Sequence, residues 1–344
     1  MARLCNRWRC LLCFGVSLVI LFFINRFLPH HVYPRFALHD EVRVIPNTQP
    51  LTIPVKTTLI PKQETGVIPK QETGVYRWKR GKWVRIPGFC SAVKGLKFAQ
   101  LRSSAGTIKM YIHDVKDDVH VSGSIQRSGM WESGGVQTMI STLRDNPDMG
   151  MLDLGSQLGT YSLTAALMGR HVVAVDPLVE NVLRLCATAQ EAKLADRITI
   201  LFAALSDDYK TVTFKRQKAN IGGTVIKHVP NTTFDINDNY NPNFISTVRL
   251  DDVLQFVDFP KAFVKIDVEN HEYEVLKEGT QLFSKVDVRN ILMEWFQIKK
   301  TANAPKLRDF LVNKAFKPMW MNRVRQLPHS SYVSWPNDVM WVKQ

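Results

Sequence analysis

The sequence predicts an α/β fold, a mostly parallel sheet with helices on both faces. Three observations predict it: five short apolar runs between residues 150 and 295, helical patterns separating several of them, and a glycine-bearing turn where the first run meets the first helix. Unbroken apolar runs mark strands buried on both faces. Alternation of strand and helix implies right-handed crossovers between parallel strands.

Taken in order, the chain opens on a basic tail, residues 1–9, with Arg3, Arg7 and Arg9. Residues 10–28 are apolar apart from a few positions such as Asn25 and Arg26, a length near the lower limit for a bilayer span. The stretch lacks a small-residue cleavage pattern, which favours an uncleaved signal anchor over a removed leader. Positive charge ahead of it directs the remainder to the lumen of a Golgi or other secretory-pathway membrane.

Residues 29–89 read as an extended stem, because "IPKQETGV" stands twice in tandem, Ile60 to Val67 and Ile68 to Val75. Arg77, Lys79 and Arg80 then form an R-x-K-R motif, either a convertase site releasing the domain after Arg80 or a solvated basic stretch. The folded domain is expected over residues 90–344. The formal charge of +14 is concentrated in the leader: residues 1–89 hold 14 Lys and Arg against 4 Asp and Glu, residues 90–344 hold 31 against 27. A nucleic-acid enzyme would carry the excess on its globular part, so that class is set aside.

Cys5, Cys10 and Cys13 fall at or in the apolar segment, leaving Cys90 and Cys186 beyond it. Cys186 lies in an apolar helical pattern and is expected as a buried free thiol rather than bridged to Cys90. Asn231-Thr232-Thr233 is a glycosylation sequon, occupied if the chain is lumenal.

Within the domain, Gly150–Asp153, His171–Asp176, Ile198–Phe202, Phe263–Asp267 and Asn290–Trp295 are the expected strands. Thr160–Met168 and Leu178–Lys193 are the clearest helices. The turn "LDLGSQLGTYS" occupies the first strand–helix junction, where open parallel sheets bind ligands. Gly155 and Gly159 allow close backbone approach, and the amides opening the next helix face the same space. The middle glycine of a dinucleotide fingerprint is replaced by Gln157, which suits a ligand without a pyrophosphate. Asp176, at the end of the second strand and 21 residues after Gly155, is placed to accept both hydroxyls of a ribose, or else only caps the next helix.

"LDLGSQLGTYSLTAALMGRHVVAVDP", "LFAALSDD", "VRLDDVLQFVDFPKAFVKIDVENHEYEVLKEG" and "ILMEWF", in this order, resemble the FkbM family of S-adenosylmethionine-dependent O-methyltransferases, from about Asp114 to Trp341. The resemblance implies a class I methyltransferase (Rossmann-like) sheet of seven strands, with "DVMWVK" at Asp338 to Lys343 as the antiparallel one. It implies S-adenosylmethionine held by Asp153, Gly155, Ser156, Gln157, Gly159 and Tyr161, with Asp176, Ala204 and Leu205 at neighbouring strand ends. The family's K-x-D-x-E-G stands here as Lys265-Ile-Asp267-Val-Glu269-Asn270, and Asn tolerates the left-handed backbone that Gly would adopt.

A methyl donor arrives activated, so the protein must chiefly align the acceptor and remove its proton. Lys265 and Asp267 share one strand face. They read either as a structural pair or as catalytic groups in which Asp267 faces the acceptor and Glu269 or His271 is the base. A metal on Asp267, Glu269 and Glu294 has no supporting ligand spacing, so metal-independent chemistry is the expectation. Asn220–Ile226, "NIGGTVI", is either an acceptor-side loop or a hairpin turn, and Trp131 either covers the cofactor or packs on the sheet. Location narrows the acceptor to a glycan hydroxyl. The alternatives are a lipid or small-metabolite acceptor, or a module that binds the cofactor without turnover.

Overall fold

The structure, a computed structural model, describes residues 72–92, 95–229 and 243–344. Its strands are β1 (Gly74–Lys79), β2 (Lys82–Arg85), β3 (Lys97–Ser103), β4 (Gly106–Ile112), β5 (Met149–Leu154), β6 (Val172–Asp176), β7 (Ile198–Phe202), β8 (Ala204–Leu205), β9 (Thr211–Gln217), β10 (Asn220–His228), β11 (Ile245–Val248), β12 (Lys261–Ile266), β13 (Asp287–Glu294), β14 (Phe316–Met319) and β15 (Asp338–Lys343). Its helices are α1 (Val121–Ser128), α2 (Ser133–Asp145), α3 (Thr160–Leu167), α4 (Val179–Glu191), α5 (Glu272–Lys277), α6 (Thr280–Lys285) and α7 (Ala304–Asn313).

One sheet runs β14-β15-β13-β12-β5-β6-β7-β1-β2. The five expected apolar runs are its five central parallel strands. Period-two packing explains the runs: Met151 and Phe263 enter one apolar layer while Leu152 and Val264 enter the other, so each strand face needs an apolar residue. β15 inserts antiparallel between β13 and β14. Chain order reverses between β5 and β12, and the cleft opens at the carboxyl ends of these strands.

Three expectations change. The sheet has nine strands rather than seven, because β1 and β2 add a hairpin to the β7 edge. The stem therefore does not reach residue 89: Val75 and Tyr76 are buried, and the second octapeptide repeat ends inside β1. Arg77 and Lys79 lie in β1 and Arg80 at the hairpin turn, so cleavage after Arg80 would strip β1 from β7 rather than free an intact domain. Among the described residues no helix is long and apolar enough to cross a membrane; residues 10–28 and Asn231 lie outside those described.

Cys186 is not a free thiol. The turn Phe89–Ala92 packs on α4, bringing Cys90 within 5.6 Å of Cys186 between Cα atoms, and the two form a disulfide across 96 residues. Reduction should cost roughly 2–4 kcal/mol, the usual worth of a native bridge, read as a lower Tm of the full chain in reductant. A Tm indifferent to reductant would mean that the thiols are unbridged in solution.

Candidate active site

Gly155 (φ +86) turns the chain out of β5, and Gly159 (φ +83) caps α3. A Cβ on Gly155 would stand 1.8 Å from the main-chain oxygen of Asp267, and one on Gly159 would stand 2.3 Å from a Leu185 methyl. Protein neighbours therefore already leave no room for a side chain at Gly155, and crowd one at Gly159. The Gly155 and Ser156 amides likewise donate to Val175 O, each at 2.9 Å.

This turn borders a cavity of about 490 Å³, lined also by Ala204 and Leu205 of β8 and by the carboxyl ends of β6 and β12. Asp153 is buried and accepts from the Ser162 hydroxyl (2.6 Å) and amide (3.1 Å), which fastens α3; burial pushes its carboxyl up to about 6, against those hydrogen bonds. Asp176 takes three donors: Leu178 N (2.9 Å) and Asn181 Nδ2 (3.1 Å) on Oδ1, and Gln157 N (2.8 Å) on Oδ2. A carboxylate offers about four lone-pair sites. Three are used, which leaves Asp176 room for one ribose hydroxyl rather than two. Asn181 is held in turn by His113 Nε2 at 2.7 Å, whose ring burial lowers to about 4 and keeps neutral. The buried Asp176 carboxyl is pushed up to about 7.

At the other end of the cavity Lys265 is buried and donates to Asp267 Oδ2 at 3.1 Å, with Glu132 Oε2 at 3.9 Å. Burial alone would lower its pKa, but Asp267 and Glu132 outweigh burial and raise it. Glu269 (φ 54) and Asn270 (φ 73) form a left-handed pair after β12, closed by Gln297, which accepts from Asn270 Nδ2 (3.1 Å) and donates to Glu269 Oε2 (3.4 Å). Burial, then the charges of Asp267 and Glu294, push Glu269 up to about 7; burial and Asp267 do the same to Glu294.

His271 does not join them. It stands at the N-cap of α5, outside the cavity lining, with Nδ1 3.4 Å from Glu269 O. Glu272 is buried against Val268 N, and burial pushes it up to about 8. Among the described residues no group of three or more His, Cys, Asp or Glu is placed to hold a metal ion. Gly222 and Gly223 belong neither to a free loop nor to the hairpin turn; they lie in a bulged stretch of β10 that lines the cavity.

Sequence reasoning missed Glu132. It precedes α2 in a left-handed conformation (φ 49, ψ 47) that costs a non-glycine residue free energy, and its Oε2 accepts from the Tyr161 hydroxyl at 2.7 Å. A Cβ on Gly135 would fall 2.1 Å from that hydroxyl. The paired glycines of "ESGG" are the signal that would have located it.

Residues 148–318 match the family model described as the methyltransferase FkbM domain. This segment is an FkbM methyltransferase domain. No curated protein matches the chain. Solved structures with the same general character include the 16S rRNA methyltransferase of T. thermophilus in complex with AdoMet and guanosine. It is 12% identical over 73% of this chain and 51% of that one, so this chain spans about half its length, and the TM-score is 0.38. The magnesium protoporphyrin IX methyltransferase of Synechocystis with bound SAM is 15% identical over 61% and 80%, TM-score 0.31. A SAM-dependent O-methyltransferase of Thermotoga maritima is 13% identical over 73% and 78%, TM-score 0.31. Similarity this remote assigns no role to any residue.

The cofactor of the FkbM domain is S-adenosylmethionine, and the cleft residues fit it. Ser156 Oγ and Gln157 Nε2 are buried on the cavity wall with no hydrogen-bond partner, two polar groups ready for a polar ligand. Asp153, Asp176, Asp267, Glu269 and Glu294 face Lys265 as the cavity's one ammonium or guanidinium among the described residues, a balance that suits a cationic group. Pro177, Leu178 and Leu205 give the Asp176 end an apolar lining for a base ring.

Proposed function

We propose that this domain is an S-adenosylmethionine-dependent O-methyltransferase acting on a hydroxyl of a glycan or glycoconjugate in the secretory lumen, anchored through residues 10–28. The observation that carries this reading is Glu269, a cavity carboxyl held near 7, the range in which a base accepts a proton at working pH and releases it again. When bound, the donor supplies a methyl group already activated on a sulfonium. Asp176, braced by Asn181 and His113, orients the ribose end. Glu269 takes the hydroxyl proton of the acceptor, while Lys265 fixes Asp267 beside it. The Cys90–Cys186 bridge supports an oxidising compartment, where such bonds persist.

The full chain with isotopically labelled donor should label hydroxyl oxygens of glycans or glycoproteins. Label found only on nitrogen, carbon or lipid would overturn the reading. The single open lone pair on Asp176 adds a sharper expectation. By calorimetry, 2′-deoxy and 3′-deoxy forms of S-adenosylhomocysteine should differ, one losing roughly tenfold to hundredfold in affinity, the worth of a charge-assisted hydrogen bond, and the other little. Equal losses would mean that Asp176 holds both hydroxyls.

A further inference from the structure

A second cavity, of about 520 Å³, lies against the cleft, with Trp131, Glu132 and Tyr161 lining both. Asp338 reaches into it from the start of β15, where it pairs with Glu294 at the end of β13. The cavity therefore adjoins the β12–β13–β15 end of the cleft, the end that carries Asp267 and Glu269, and lies away from Asp176. Its wall is built rather than incidental: Glu132 is held in its left-handed conformation with Oε2 on the Tyr161 hydroxyl, and Gly135 clears the space that hydroxyl needs.

The lining chemistry is selective. Two carboxylates, Glu132 and Asp338, stand with the hydroxyls of Ser124 and Ser128 and the half-buried indole of Trp131, and among the described residues no Lys or Arg lines the cavity. An acyl chain would set hydrocarbon against the Glu132 and Asp338 carboxylates, whose loss of water it could not repay. A phosphate, sulfate or uronate would add negative charge beside two carboxylates, Glu132 and Asp338, while the neighbouring Lys265 is already shared between Glu132 and Asp267. A neutral pyranose matches both halves of the lining, since it has an apolar C–H face and a rim of hydroxyl donors.

Resting on the O-methyltransferase reading, we propose that this second cavity is the acceptor site and that it takes an uncharged polyhydroxylated ring, its apolar face on Trp131 and its hydroxyls donating to Glu132 and Asp338. It delivers one hydroxyl past the shared wall toward Glu269.

The test is saturation-transfer NMR on the full chain with S-adenosylhomocysteine present, using methyl β-D-galactopyranoside, methyl β-D-glucopyranoside and methyl α-D-mannopyranoside as neutral probes and sodium galacturonate as the charged one. At least one neutral pyranoside should receive saturation on its ring C–H protons, and galacturonate should bind about tenfold or more weakly. Trp131→Ala should abolish transfer and Trp131→Phe should retain most of it. Asp338→Asn should narrow the gap between galactoside and galacturonate with S-adenosylhomocysteine affinity within about a factor of two by calorimetry, because Asp338 lines the second cavity alone. Transfer to none of the neutral probes, undiminished transfer in Trp131→Ala, or galacturonate binding as tightly as galactoside each overturns the inference. Should Trp131→Ala fail to fold, Trp131→Phe and Asp338→Asn decide it. Failure of the wild type to bind S-adenosylhomocysteine at all is a separate outcome, which removes the methyltransferase reading instead.

Discussion

Glu269→Gln lowers turnover by about 10²- to 10⁴-fold, the usual worth of a general base, and leaves donor affinity nearly unchanged. The replacement preserves shape and the contact with Gln297 while removing the proton acceptor. The pH profile separates this role from a structural one. Burial and the neighbouring carboxylates favour the neutral form of Glu269 up to about pH 7, so the basic form gains as pH rises. Wild-type kcat should climb through that region and level above it, whereas residual activity of the Gln variant should lack this step. A variant that turns over at the wild-type rate would move the role to Glu294, held in the same range in the same cavity.

Gly155→Ala should be too unstable to give a native domain. Its φ of +86 costs an L-residue about 1–2 kcal/mol. The greater penalty is steric, because the new methyl would lie 1.8 Å from Asp267 O, a backbone atom at the end of a central strand with nowhere to retreat. Ordinary overpacking costs about 1–3 kcal/mol when side chains yield; here the backbone must yield, and the total should exceed about 4 kcal/mol. Tm should fall by roughly 8–16 °C, or the protein should not accumulate. Gly169→Ala is the control: its φ is +79 but nothing lies within 4 Å of the added carbon, so only the backbone cost remains. Equal melting of the two variants would refute the steric argument.

The central sheet was legible because its strands are buried on both faces and carry no polar alternation. The hairpin β1–β2 was not, for the converse reason. It is an edge addition whose Arg and Lys side chains alternate with Tyr76 and Trp78 inside a repeat-rich stretch, so composition pointed to a spacer. The disulfide was hidden because Cys186 sits on an apolar helix face, and only the packing of the Phe89–Ala92 turn shows what that face meets. In the site, the cluster Lys265, Asp267 and Glu269 followed from one short segment. Spacing could not reveal that His271 stands outside the cavity at the start of α5, or that Asp176 commits most of its acceptor capacity to Gln157, Leu178 and Asn181. Glu132 lies in a different segment from the motif that it serves, and its link to Tyr161 exists only in three dimensions.

The direction of β1 has a consequence for access. Since β1 runs parallel to β7, Gly74 lies at the rim of the sheet opposite the rim on which the cleft opens. Glu72 and Thr73 thus lead into the domain at the rim away from the cleft. A ligand entering the cleft therefore meets the carboxyl ends of the central strands and not the edge at which β1 begins.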